Sequence, residues 1–163
     1  MIRIEIPGRV PLQVDWIVTD YTGTHAFAGS LRPGVRDRLQ QLAERVKIHV
    51  ITSDTFGTAQ KELAGLPVTL HLLSAGGSHD RQKLRYFADR GIDPARTAAF
   101  GNGANDRLML QAVKDAGGLA VAVDNGEGCA LSAILGASLF INGSENALDL
   151  LLQSDRCKAT LRI

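Results

Sequence analysis

Aromatic side chains are scarce in this chain: five phenylalanines, two tyrosines and one tryptophan among 163 residues. Aliphatic groups must fill any core it builds, and a hydrophobic share of 45% is ordinary for a globular protein. A surplus of charge is also missing, with 18 Lys plus Arg against 17 Asp plus Glu. That balance gives no electrostatic attraction for nucleic acid or an anionic membrane surface, so neither is expected as a partner. No apolar run is long enough to span a bilayer. The opening segment, MIRIEIPGRV, alternates charged and apolar residues instead of following a basic stretch with an apolar one, so no secretory leader is expected. The only two cysteines, Cys129 and Cys157, lie far apart. Reduced thiols in a soluble cytoplasmic protein are the expectation.

What is present is a rhythm of short apolar runs and amphipathic stretches. Ile2, Ile4 and Ile6 alternate with Arg3 and Glu5, the period of a half-buried strand, and Leu12 to Asp15 can return as its hairpin partner after Pro7-Gly8. Trp16 to Thr19 is a short apolar strand ending at Asp20. Pro33-Gly34 opens a helix with Val35, Leu39, Leu42 and Val46 on one stripe. Ile48 to Ile51 reads as a buried strand, followed by a helix from about Thr55 to Ala64, a strand at Val68 to Leu72 and a helix from about Asp80 to Arg90. The second half continues with a strand at Thr97 to Phe100, a helix at Asn105 to Lys114 and a strand at Leu119 to Val123. A helix at Gly126 to Leu135, a strand at Leu139 to Ile141 and a closing helix at Ser144 to Leu152 complete it, with Ile134, Leu135 and Leu148 to Leu152 read as core. Such alternation implies one α/β domain over residues 1–163, with a hairpin extension at about 1–15. The fold expected is a three-layer α/β/α, Rossmann-like, mainly parallel sheet. The tail from Lys158 to Ile163 suits either a sheet edge or a subunit contact.

In such sheets ligands bind beyond the carboxyl ends of the strands. Polar residues stand at those ends here: Asp20, then Thr52, then Asn102, Asn105 and Asp106. A carboxylate at Asp20, ringed by turn amides, suits a nucleophile attacking phosphorus; the alternative is an Asx-turn. Thr52 can donate to a phosphate oxygen, while Ser53 or Asp54 caps the helix after it. Lys83 can neutralise phosphoryl charge, although a lone helical lysine is usually solvated surface and Arg81 and Arg85 lie nearby. In Gly101-Asn102-Gly103-Ala104-Asn105-Asp106 the glycines permit a tight strand-to-helix turn, and Asp106 can hold a hard cation or cap the helix.

Taken in order, these segments resemble the four motifs of the haloacid-dehalogenase superfamily, most closely the phosphorylation domain of P-type ATPases and their small soluble relatives. Asp20-Tyr21-Thr22-Gly23-Thr24 resembles that group's Asp-Lys-Thr-Gly-Thr, Thr52-Ser53-Asp54 its Thr-Gly-Asp, and Gly101 to Asp106 its Gly-Asp-Gly-x-Asn-Asp. The similarity runs from about Trp16 to Leu152. It implies a Mg²⁺-dependent phosphohydrolase with an aspartyl-phosphate intermediate at Asp20. It further implies Mg²⁺ held by Asp20, the Thr22 backbone carbonyl and Asp106, with Thr52 and Lys83 contacting phosphate and Asn105 orienting it.

Two departures shape the expected activity. Thr22 replaces the second aspartate of most phosphatases in the superfamily, and a threonine neither protonates a leaving group nor deprotonates water well, so turnover should be slow. Asn102 replaces an aspartate near the metal and removes one negative charge. Residues 25–32 leave room for a small flap and no cap domain. The resemblance implies that a protein of this build either assembles as an oligomer whose neighbour covers the site or acts on large substrates. A homo-oligomer acting on a phosphorylated substrate is expected, and ion pumping is excluded because the transmembrane segments and nucleotide-binding domain of a P-type ATPase are missing. The competing readings are a catalytically weak binding or regulatory protein and a phospho-acceptor receiver domain. The receiver fits poorly, since Met1 to Ile17 offers only Glu5 and Asp15 and no paired acids at a strand end.

Overall fold

The computed structural model describes residues 1–163. Strands β1 (Ile2–Ile4) and β2 (Leu12–Val14) form an antiparallel hairpin with Ile2 opposite Val14. β3 (Trp16–Thr19) runs to the nucleophile candidate, and a two-stranded flap, β4 (Ala26–Phe27) and β5 (Ser30–Leu31), follows. Then come α1 (Val35–Ala43), β6 (Lys47–Thr52), α2 (Ala59–Glu62), β7 (Val68–Leu72) and α3 (His79–Arg90). The second half holds β8 (Thr97–Gly101), α4 (Arg107–Ala116), β9 (Leu119–Asp124), α5 (Leu131–Gly136), β10 (Leu139–Asn142), α6 (Ser144–Leu152) and α7 (Ser154–Leu161). The central sheet has the order β10-β9-β8-β3-β6-β7, and every pair in it is parallel. Helices cover both faces, so the architecture is the three-layer α/β/α arrangement expected.

Both faces being buried explains why the central strands are apolar without interruption. Alternate residues then choose the layer. Ile17, Ile48, Val50, Ala98, Phe100, Leu119, Val121 and Val123 face one layer, with Leu39 and Leu42 of α1, Leu148 and Leu151 of α6 and Cys157 of α7. Val18, Ile51, Ala99 and Ala120 face the other, with Tyr86 and Phe87 of α3 and Met109, Leu110 and Val113 of α4. The N-terminal hairpin adds Ile2, Ile4, Leu12 and Val14 to the first layer.

Several boundaries depart from expectation. The helix expected over Thr55 to Ala64 shrinks to Ala59–Glu62, because Asp54 turns into the left-handed region (φ 50°) and its Oδ1 accepts the Thr58 and Ala59 N–H groups. The stretch from Gly126 is loop as far as Ala130, since Asp124 Oδ1 accepts the N–H groups of Gly126 and Gly128 and holds the turn open. Leu135, expected in the core, is 77% exposed, because α5 is short and turns that side outward. The C-terminal tail is a helix and not a sheet-edge strand; Cys157 and Leu161 anchor it, and the Ile163 N–H donates to the Pro7 carbonyl.

One polar clamp ties the helices of the first layer. Arg38 of α1 donates from Nε to Asp149 Oδ1 at 2.8 Å and from Nη2 to Oδ2 at 3.0 Å, and Arg156 of α7 lies 3.6 Å from the same Oδ2. Asp149 is buried while Arg38 reaches solvent, so the geometry is bidentate and partly shielded. Asp149→Ala should lower stability by about 2 kcal/mol in urea unfolding, the range for hydrogen bonds to charged groups. A loss below about 0.5 kcal/mol would mean that the clamp behaves as an ordinary surface pair.

Candidate active site

Strand register sets the site. Thr19 pairs with Val50 on one side and Phe100 on the other. Asp20 therefore stands level with Ile51 and Gly101, and Thr52 and Asn102 lie one residue further out on either flank. The Asp20 N–H donates to the Phe100 carbonyl at 3.0 Å, which carries the sheet pairing up to the nucleophile candidate itself.

A lysine joins the parts. Lys83 projects from the buried stripe of α3, beside Tyr86 and Phe87, and is fully enclosed. Its Nζ donates to Asp20 Oδ1 at 2.7 Å and to Asp106 Oδ1 at 2.5 Å. Three groups distant in sequence thus meet at one point. Arg81 and Arg85, the other cations considered for the role, face solvent. The second oxygen of Asp106 accepts the N–H groups of Asn102 at 3.0 Å and Gly103 at 2.9 Å, so the carboxylate folds back over the strand end. Only a glycine at position 101 allows this, because a Cβ there would lie 2.5 Å from the Asp106 carboxyl carbon.

Around this triad lies a ring of oxygens. Thr24 Oγ1 sits 3.5 Å from Asp20 Oδ2 and 3.3 Å from Asn102 Oδ1, and Ser144 of α6 donates to the Thr24 carbonyl at 2.5 Å. The Thr22 carbonyl accepts no hydrogen bond from the protein, and its hydroxyl is buried without a partner. Gly23 adopts φ 79°, and a Cβ there would strike Asn102 Nδ2 at 2.3 Å, so the loop closes on Asn102 only through glycine. Thr52 is buried and its Oγ1 accepts the Asp54 N–H at 3.0 Å, without bonding to Asp20 or Lys83. The Asn105 side chain makes no hydrogen bond and lies against Gly103. Nothing in the sequence pointed to Ser144, which belongs to a distant helix; Thr24 stood inside the first motif, but its bridging position needed coordinates.

Charge in this cluster does not balance. Burial raises the Asp20 pKa to about 6; the Lys83 ammonium opposes that shift and the Asp106 carboxylate adds to it. Burial also works against the Lys83 ammonium, but the two carboxylates outweigh it and hold its pKa above the ordinary lysine value. One cation faces two anions, leaving a net negative charge in a dry site. Asp20, the free Thr22 carbonyl and the Asn102 amide oxygen are hard donors of the kind a divalent cation takes, and such an ion would restore the balance. The residues present fit a divalent metal.

The same architecture occurs in solved structures. The cobalt-bound deoxy-D-mannose-octulosonate 8-phosphate phosphatase of Haemophilus influenzae superposes with a TM-score of 0.64 at 15% identity, over 93% of this chain and 94% of that one. The 3-deoxy-D-manno-octulosonate 8-phosphate phosphatase of Moraxella catarrhalis, solved with magnesium, phosphate and KDO, gives 0.67 at 13% identity over 91% and 94%. A haloacid dehalogenase-like hydrolase of Streptococcus pneumoniae gives 0.61 at 12% over 86% and 98%. At such identities these likenesses speak for the fold alone. No curated protein matches the sequence. The sequence pattern of haloacid dehalogenase-like hydrolases matches residues 68–134, a span that includes Lys83 and the whole Gly101 to Asp106 loop. Over that segment the chain is similar to haloacid dehalogenase-like hydrolases, and the whole of it shares the fold of the solved structures. No cap domain interrupts the fold here, since only the β4–β5 flap stands between β3 and α1.

The protein also buries an unusual histidine. His25 is 2% exposed, neither ring nitrogen has a partner, and its ring lies 5.9 Å from that of Phe100. Burial alone lowers its pKa to about 3.

Two measurements test these electrostatics. Lys83→Met leaves two carboxylates facing each other in a dry site and should cost about 3–5 kcal/mol at pH 7.5 in EDTA. Removing the ammonium pushes the folded-state pKa of Asp20 further up, so the penalty is present above that pKa and relieved as pH falls through it. A loss that stays constant between pH 7.5 and 5 would contradict the charge argument. For His25 the sign is opposite. Below pH 6.5 the unfolded chain takes up a proton that the folded chain refuses until about pH 3. Stability of the wild type relative to His25→Phe should therefore fall by up to about 1.4 kcal/mol per pH unit below 6.5. A difference between the two proteins that does not change from pH 7 to 5 would show that the imidazole is not held neutral.

Proposed function

We propose that this protein is a Mg²⁺-dependent phosphohydrolase working through an aspartyl-phosphate at Asp20. The observation that carries the reading is the buried Asp20–Lys83–Asp106 triad at the carboxyl rim of the sheet. An Asp20 oxygen attacks phosphorus, the bond from phosphorus to the leaving oxygen breaks, and the leaving group takes a proton from water. Hydrolysis of the acyl phosphate by water then regenerates the carboxylate and releases phosphate. Lys83 holds Asp20 in place and neutralises charge on the phosphoryl oxygens, Thr52 donates its hydroxyl proton to phosphate, and Asn105 orients it. Asp20, the Thr22 carbonyl and Asp106 would hold Mg²⁺, with Asn102 Oδ1 turned to the same space. Asp106 accepts from Lys83, Asn102 and Gly103, which leaves about one of its lone pairs for an ion. The bound ion would draw negative charge from the phosphoryl oxygens.

Thr22 supplies no acid or base at the leaving group, and its hydroxyl is enclosed. The reading therefore expects slow turnover and a long-lived phosphoenzyme. That same feature supports the second reading, a weakly catalytic binding protein. The proposal further includes a phosphorylated substrate, a cytoplasmic location and a homo-oligomer whose copies shelter the open site. No helix is long and apolar enough to cross a membrane.

Phosphate release from acetyl phosphate and an aryl phosphate should require Mg²⁺ and fall at least about a thousandfold in Asp20→Asn, with the fold intact by circular dichroism. Equal rates in the two proteins would end the proposal. BeF₃⁻ binding with no turnover in the wild type would favour the binding protein.

A further inference from the structure

The rim around Asp20 is not uniformly polar. The flap turns at Ala28 and Gly29, both with positive φ (47° and 84°), and the turn is tied on two sides. The hydroxyls of Tyr21 and Thr58 donate to the Gly29 carbonyl at 2.8 and 2.5 Å, and the Ala28 N–H donates to Glu127 at 2.6 Å. The flap is thereby fixed between the loop after β6 and the loop after β9. Each of those loops carries or meets an exposed aromatic ring. Phe56, on the loop that begins at Thr52, is 51% exposed and lies against the flap turn, where a Cβ on Gly29 would sit 2.7 Å from its own Cβ. Phe27, on the flap, is 42% exposed. Its ring comes within 3.4 Å of where a Gly126 Cβ would be, on the loop whose Gly128 carbonyl accepts from Asn102. Arg32 stands 5.5 Å from the centre of that ring.

Neither ring belongs to either core cluster. In a chain with so few aromatics, two half-exposed phenylalanines stand on the loops bordering the nucleophile. We propose that Phe27 and Phe56 form an aromatic lip that receives the substrate's leaving group, a planar ring, so that the preferred substrates are phosphomonoesters of aryl or nucleoside alcohols. The inference rests on the phosphohydrolase reading and names its substrate class. Stacking a flat ring on these side chains removes apolar surface from water on both partners, and Arg32 adds a cation beside the lip. A sugar chain or a small acyl group gains little from such a surface.

The test is calorimetric titration of the wild-type protein in Mg²⁺ with phenylphosphonate, methylphosphonate and inorganic phosphate, which are not turned over. Phenylphosphonate should bind about tenfold or more tightly than methylphosphonate, the increment of one stacked ring. Phe56→Ala and Phe27→Ala should each reduce that ratio, and the double variant should abolish it. Phe140→Ala, which removes an exposed phenylalanine from edge strand β10, should leave it unchanged. Adenosine 5′-monophosphate against ribose 5-phosphate separates a nucleobase from a simple aryl group. Equal affinity for the phenyl and methyl compounds, or a preference that survives in the double variant, overturns the lip alone. No binding of any of the three in Mg²⁺ overturns the phosphohydrolase reading and the lip with it.

Discussion

A single ammonium, sealed from water between two carboxylates, is the constraint around which the rest of the molecule is arranged. Lys83, Asp20 and Asp106 come from a helix, a strand tip and a loop that are far apart in sequence. None of them is tolerable in a dry interior without the others. Their meeting therefore requires that β3, α3 and the loop after β8 hold their relative positions closely. The triad does not neutralise itself, since one ammonium faces two carboxylates.

The two layers of the sheet serve that arrangement differently. One layer is filled by large aliphatic side chains and fastened by the Arg38–Asp149 clamp. The other contains Ala99 and Ala120 where the first has Phe100 and Val121. On this second side run α3 and α4, the helices that carry Lys83 and follow Asp106. The bulk on this second side comes from the helices, with Tyr86, Phe87, Met109 and Leu110 packing over Ala99 and Ala120 of the strands.

Much of this was legible before any coordinates. Alternation of apolar runs with amphipathic stretches located every strand of the central sheet, because a strand buried on both faces leaves an unbroken β-branched or apolar run such as Ile48 to Ile51. Polar residues immediately after those runs placed Asp20, Thr52 and Asn102 on one rim, since a parallel sheet brings all its strand ends together. Less legible was whatever depends on a side chain's direction or on a single backbone angle. Lys83 looked like solvated surface on composition alone, and only its position on the inward stripe of α3 buries it. The shortening of α2 follows from the left-handed turn at Asp54, a conformation with no reliable mark in the sequence. Leu135 reads as core by hydropathy yet faces outward, because α5 is too short to bury both sides. Ser144 reaches the Thr24 carbonyl from the far end of the chain, a pairing that no local pattern encodes.

The alanines beneath α4 have a further consequence. Interiors pack at crystal-like density and pass on displacement instead of absorbing it. A valine at Ala99 or Ala120 would lift α4 from the sheet, and the Asp106 carboxylate at its leading end would move with it. Spacing between charged groups in this protein is thus set partly by two methyl groups that touch none of them. Variation at such silent interior positions would shift the spacing of Asp20, Lys83 and Asp106 while leaving every polar residue in place.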